Sequence, residues 1–239
     1  MAPWELLKPP DDRTATEPRI LCIEIHTMSN RIQDHQRLTG VILAGGAGTR
    51  FGGPKATMQL HGSPLLERTV ATLSRITDEV AIVGHPYPLE FKPPVHVTMV
   101  PDRIAQRGPL AALTSVLGAI PPGLVAVVGC DMPFADSELL EHQASLATGF
   151  DAVVPIADGR LQPLHAIYHT SISPTLERLV EEGESSMQSL VSEIATRFLE
   201  AEEWSRFSPD GRCFFNINTP ADYEFAAAIL SQSPFSQTT

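Results

Sequence analysis

The sequence predicts an α/β fold, a doubly wound and mostly parallel sheet in three α/β/α layers. Three observations predict it. Short apolar runs and amphipathic stretches alternate regularly through the first part of the chain. The run Leu124-Val125-Ala126-Val127-Val128 is apolar without a break, as in a central parallel strand buried on both faces. Glycine, acidic and basic residues gather where strands end, at 45–55, Asp102 and Asp131, and such sheets bind ligands at the carboxyl ends of their strands.

In chain order, Gly40-Val41-Ile42-Leu43-Ala44 is the first strand. Ser63-Pro64 reads as the N-cap and first turn of a helix whose Leu66, Val70 and Leu73 share one face. Val80-Ala81-Ile82-Val83 is a strand, and residues 95–100 form another that ends at Asp102. Gly108-Pro109 opens a helix with Leu110, Leu113 and Leu117 at core spacing. The buried run from Leu124 ends at Cys130-Asp131-Met132-Pro133, before a helix led by Asp136 and Ser137. The second part is less regular. Strands are expected at 151–156 and 162–168, helices at 174–180 and 187–194, and a strand at Phe214-Phe215-Asn216-Ile217-Asn218. Thr219-Pro220-Ala221-Asp222 has the form of a capping box for a helix ending near Leu230.

One domain is expected over residues 40–230, and 239 residues suffice for it to bury ~70% of its unfolded surface. Residues 231–239 are Ser/Gln-rich and read as a frayed tail. Residues 1–39 lack periodicity and a secretory layout. They are either a flexible extension or, in the preferred reading, the product of a start assigned upstream of Met28.

The most informative stretch is 41–56, VILAGGAGTRFGGPKA. Gly45, Gly46 and Gly48 lack a Cβ, so backbone N–H groups can approach an anion, and Arg50 and Lys55 supply positive charge. An ordinary glycine turn would not need the cations. The spacing is neither G-x-G-x-x-G, since Gly52 comes one residue late, nor a P-loop, since Pro54 precedes Lys55 and Ala56 follows it. This makes the amino-terminal half a Rossmann-like nucleotide-binding unit with a different phosphate loop.

Composition narrows the partners. The chain carries 17 Lys and Arg against 28 Asp and Glu, a formal charge of −11, with no basic runs. Nucleic acid and anionic membranes are therefore not expected partners, and a polyanionic ligand must meet a local positive site. Three cysteines, Cys22, Cys130 and Cys213, are widely spaced and form no C-x-x-C pair, which suits a reduced, cytoplasmic protein without a disulfide framework or zinc site. No apolar stretch approaches ~18 residues.

Asp131, closing a buried strand, suits Mg²⁺, which takes few protein oxygens and fills its shell with waters and phosphates. Its plainer alternative is a helix cap or a solvated loop acid. Lys55 is placed to stabilise charge on phosphates. No nucleophilic triad or general-base pair stands out, so positioning and electrostatics are the catalytic means these residues offer. His165 and His169 share a strand face in HAIYH, but no third ligand is evident, and a packing or lining role is expected.

The loop resembles the L-A-G-G-x-S/G-x-R-M-G-x-x-K signature of nucleotidyltransferases, with Phe51 for the usual Met and one residue fewer before Lys55 than in some members. The ordered set Leu43-Ala44-Gly45-Gly46, Lys55, Asp102, Gly108-Pro109-Leu110, Cys130-Asp131-Met132-Pro133 and Asn216-Ile217-Asn218-Thr219-Pro220 resembles the molybdenum cofactor guanylyltransferase family over residues 40–230. That resemblance implies transfer of GMP from GTP to molybdenum-molybdopterin with release of pyrophosphate. It implies catalytic roles for Lys55, Asp131 and Arg50. Leu43, Ala44, Gly45, Gly46, Lys55, Asp102, Gly108 and Asp131 would bind GTP, Asp131 would hold Mg²⁺, and Asn216 and Asn218 would bind the pterin phosphate or waters around it, with orientation of the helix start as the alternative for Asn218. Asp102 can accept from guanine N1–H and the exocyclic amine together. The implied partners are GTP, molybdenum-molybdopterin and molybdopterin-carrying proteins. The chain departs from the pattern at Val83-Gly84-His85, where some members place an Asn on GTP, and His85 or a backbone carbonyl is expected to substitute. Two alternatives stay open: a cytidylyltransferase for the same pterin or another small substrate, and a non-catalytic nucleotide-binding protein, which would need neither Lys55 nor Asp131.

Overall fold

The computed structural model describes residues 37–45, 54–84, 89–103 and 107–232. The extension up to residue 36, the loop residues 46–53 with Gly46 and Arg50, His85, and the tail from 233 lie outside the described residues.

The chain begins with β1 (Leu38–Leu43), passes a 3-10 turn (Lys55–Thr57), and forms the small hairpin β2 (Gln59–Leu60) and β3 (Ser63–Pro64). Then come α1 (Leu65–Leu73), β4 (Glu79–Val83), β5 (His96–Val100), α2 (Gly108–Leu117), β6 (Leu124–Gly129) and α3 (Ser137–Ser145). The second part contains β7 (Ala152–Ala157), β8 (Arg160–Leu161), β9 (His165–His169), α4 (Ser173–Glu181), α5 (Met187–Glu193), β10 (Thr196–Leu199), α6 (Ala201–Trp204) and α7 (Pro220–Gln232).

The sheet order is β10-β7-β9-β6-β1-β4-β5, with β8 paired to β7. The β1, β4, β5 and β6 strands are parallel, and so are β7 and β10, whereas β9 runs against both β6 and β7. From β1 the chain builds outward through β4 and β5, then returns to lay β6 on the other side of β1. This is the reversal at which open α/β sheets leave a crevice beyond their strand ends. Alternation along each strand separates two cores. Val41 and Leu43 pack with α2, α4 and α5, while Ile42 and Ala44 pack with α1 and α3. The three-layer α/β/α expectation is thereby met. On α1 the buried Leu65, Leu66, Val70 and Leu73 form the inward face, each worth ~1.5–3 kcal/mol on burial.

Several local expectations needed correction. Ser63-Pro64 does not cap α1; it pairs with Gln59-Leu60 across His61 (φ 51°) and Gly62 (φ 79°). Two consecutive positive φ values are the requirement of a tight hairpin turn, and this turn overrides the cap. Residues 162–164 turn rather than extend, with His165 N donating to Gln162 O at 3.1 Å, so β9 begins at His165. No strand forms at 214–218. A 3-10 turn (Arg212–Phe214) follows Gly211 (φ 67°), and Ile217 N reaches only Asp131 O, at 2.9 Å. The β10 strand and α6 were not anticipated. The first is an edge strand with one buried residue, and the second has four residues, so neither shows periodicity. The first strand starts at Leu38 rather than Gly40, and α7 runs to Gln232, past the expected Leu230. Among the described residues no helix is long and apolar enough to cross a membrane.

Candidate active site

At the carboxyl ends of β1 and β6 lies a cleft of ≈ 480 Å³, within the size range of small-molecule sites. The cleft is lined by Leu43, Ala44, Gly45, Lys55, Asp102, Gly108 and Asp131, all of which the sequence had nominated, and also by Pro109, Ala112, Gly129, Cys130 and Leu164.

One wall is backbone. Ala44 N donates to Val83 O at 2.9 Å, extending the parallel ladder past the end of β1. The chain then crosses Gly84, whose φ is +80°. A Cβ on Gly84 would fall 2.8 Å from both Cα and N of Gly45, so only glycine allows this crossing. Residue 84 therefore has no room for a side chain, and His85, expected to substitute for the family's Asn, lies outside the described residues. Beyond Gly45, Asp102 turns its carboxylate inward; its Oδ2 lies 4.0 Å from where a Gly45 Cβ would stand. The turn after Asp102 is tied to α2, where Ser115 Oγ accepts from Arg103 N at 3.2 Å and donates to Ala111 O at 3.1 Å. Sequence reasoning missed Ser115; a serine on the apolar face of a helix was its one signal.

The opposite wall carries charge. Lys55 Nζ donates to Asp131 Oδ2 at 3.0 Å and to Asn218 Oδ1 at 2.8 Å. Three segments distant in sequence thus meet at one ammonium. Asp131 can sit there because residue 129 is glycine: a Cβ would come 2.8 Å from Asp131 Oδ1. Asn218 is set by the start of α7, where Asp222 Oδ2 accepts from Asn218 N at 2.8 Å and Thr219 N at 2.7 Å, and Thr219 Oγ1 accepts from Asp222 N at 3.2 Å. These amide donors hold the Asp222 carboxyl below its ordinary range. Asn216 does not follow its neighbour; its Nδ2 donates to Phe214 O at 2.9 Å. Cys130 is a poor nucleophile although it lines the cleft, because burial, and then the adjacent Asp131, push its thiol up to about 12.

Among the described residues no cluster of three His, Cys, Asp or Glu side chains could by itself hold a metal. The cleft offers a metal one carboxylate, Asp131, beside Lys55, while Asp102 lines the cleft from the Gly45 side. This suits a hard cation that arrives with phosphate oxygens and keeps its waters, as Mg²⁺ does, and does not suit zinc.

A family model for the MobA-like NTP transferase domain matches residues 40–198. The chain belongs to this family. It is accordingly a nucleotidyltransferase, and the cleft at the β1/β6 switch point is its candidate active site. A Geobacillus sp. (strain WCH70) protein named probable molybdenum cofactor guanylyltransferase is 32% identical over 192 residues, covering 79% of this chain and 97% of the relative. The solved structure of molybdopterin-guanine dinucleotide biosynthesis protein A from Archaeoglobus fulgidus superposes with a TM-score of 0.69 at 27% identity, covering 82% of this chain and 100% of that one. A 4-diphosphocytidyl-2C-methyl-D-erythritol synthase from Anaerococcus prevotii shares the fold alone, with a TM-score of 0.63 at 18% identity over 83% of this chain and 98% of that one.

Proposed function

We propose that this nucleotidyltransferase moves GMP from GTP to molybdenum-molybdopterin, releasing pyrophosphate. The observation that carries the reading is the meeting of Lys55, Asp131 and Asn218 at one wall of a cleft whose other wall presents Asp102 against Gly45. In this reading Asp102 accepts from guanine N1–H and its exocyclic amine, the pair of donors that distinguishes guanine from cytosine. A site built to pair polar groups strongly rejects a base that leaves them unpaired. Leu43, Ala44, Gly45 and Gly108 line the nucleoside and phosphates. Gly46 and Arg50, outside the described residues, join them on the strength of the loop motif. Asn218 serves the acceptor side through its contact with Lys55, and Asn216, turned to Phe214 O, is assigned to the pterin phosphate on the strength of the motif alone.

The reaction forms a bond from an acceptor phosphate oxygen to the α-phosphorus of GTP and breaks the bond to the bridging oxygen, whose electrons leave with pyrophosphate. The acceptor phosphate needs no deprotonation, so the reaction does not call for a general base. Lys55 exchanges Asp131 for phosphate oxygens and neutralises charge on the departing pyrophosphate. Asp131, so released, would hold Mg²⁺, which would supply charge neutralisation and alignment of the phosphates.

Thermal-shift measurements with GTP, CTP, ATP and UTP, each with Mg²⁺, test the assignment. GTP is expected to raise Tm more than the other three; stabilisation by CTP and not GTP overturns the guanine reading in favour of cytidylyl transfer.

A further inference from the structure

Consecutive residues hold both ends of the loop that carries Asp131. At its start, Gly129 N donates to Leu164 O at 3.1 Å. At its end, Asp136 N donates to His165 Nε2 at 3.1 Å. We propose that His165 is a positioning residue for the reaction: as a neutral ring accepting through Nε2, it fixes the far end of the Asp131 loop and so the carboxylate at the cleft. The proposal rests on Asp131 acting at the site as described above.

The geometry dictates the state of the ring. A backbone N–H can only donate, so Nε2 carries the lone pair and the proton resides on Nδ1. His165 is wholly buried, and burial pulls its pKa down to about 4, keeping the ring neutral. The Phe214 ring stands edge-on at 5.4 Å, and Gln143 Nε2 donates to His165 O at 3.0 Å, fixing backbone and ring together. In register His165 lies opposite Val128, on the strand that delivers Asp131. Among the described residues Nδ1 has no hydrogen-bond partner. A residue required only for packing would be apolar here, without a buried unpaired N–H. The histidine retains that burden while presenting one acceptor, at the reach of Nε2, to the one backbone donor that ends the loop.

Reach provides the test. In His165→Gln the side-chain oxygen falls where Nε2 stands, whereas in His165→Asn it falls where Nδ1 stands, one bond short of Asp136 N. Both variants are polar and uncharged. The inference expects His165→Asn to increase hydrogen exchange in peptides spanning 129–136 in the ligand-free chain. It also expects kcat to fall about ten- to a hundredfold, with the KM for GTP changed less than about threefold. His165→Gln should restore both. Equal behaviour of the two variants, or unchanged exchange at 129–136 in His165→Asn, overturns the proposal. Should His165→Asn fail to fold, the Asp136 amide of the unmodified chain decides: slow exchange by NMR supports the clamp and rapid exchange removes it. Exchange needs no substrate, so a chain inactive with GTP would defeat the functional reading and leave the clamp separately testable.

Discussion

Asp131 owes its place to its neighbours. Gly129 leaves space for one carboxylate oxygen, Lys55 takes the other, and Ile217 N holds the backbone carbonyl. Its pairing with Lys55 is partly exposed, with side chains 18% and 21% accessible, so it adds little to stability. The ligand-free pair is better read as two charges kept in place for a phosphate. Asp131→Asn is therefore expected to leave the melting temperature nearly unchanged while lowering turnover by ~10²-fold or more, through loss of the carboxylate proposed to hold Mg²⁺ and of charge opposite Lys55. Unchanged turnover in purified protein would place the metal elsewhere. Histidine shows how a residue can mislead in sequence. The HAIYH spacing invites a metal pair, yet His165 accepts from Asp136 N and His169 Nδ1 accepts from Ser171 N at 3.1 Å, two backbone tasks with no metal character.

Elements matter here chiefly at their ends. The β1 and β4 strands are regular apolar parallel neighbours, and their function begins where Gly45 and Gly84 touch. Gly84→Ala would strain a φ of +80° and drive a methyl to 2.8 Å from the Gly45 backbone, which has no flexible end to yield. A loss of about 2 kcal/mol or more is expected in urea denaturation, together with weaker stabilisation by GTP. Gly62→Ala is the control. Its φ is +79° but nothing lies within 4 Å of the added methyl, so only the backbone strain of about 1 kcal/mol should register. Equal costs at the two positions would show that the crossing is looser than described. The start of α7 follows the same logic, since the Thr219 and Asp222 cap that satisfies its first amides also orients Asn218 toward Lys55.

For the whole molecule, the antiparallel β9 strand ties the amino-terminal sheet to β7 and β10, and its buried His165 links folding to pH. The folded pKa of about 4 lies below the ordinary 6.5. Above about pH 6.5 both states are neutral and the full stability is present. As pH falls from 6.5 toward 4 the unfolded chain takes the proton first, and stability is lost by up to about 3 kcal/mol. Chemical denaturation across pH 7 to 4 should show this loss, and His165→Gln should flatten it. Parallel curves for the two proteins would assign the acid sensitivity to other groups. Half-buried Glu79 and Glu203 and exposed Asp210 are held below their ordinary pKa values by neighbouring arginines and contribute only at lower pH.

The sequence by itself determined the layered α/β architecture, because a continuous apolar run and regular 3.6-residue periodicity are local properties of the chain. It also determined most of the cleft, because Leu43, Gly45, Lys55, Asp102, Gly108 and Asp131 stand at strand or helix ends where an α/β sheet must place its ligands. Only the tertiary structure decided the rest. The edge strand β10 and the antiparallel direction of β9 depend on partners distant in sequence. So do the contact of Asn218 with Lys55, the requirement for glycine at 84 and the hold of His165 on Asp136. Each is a contact across the sheet or between loops, and periodicity and propensity carry no information about which distant groups will meet.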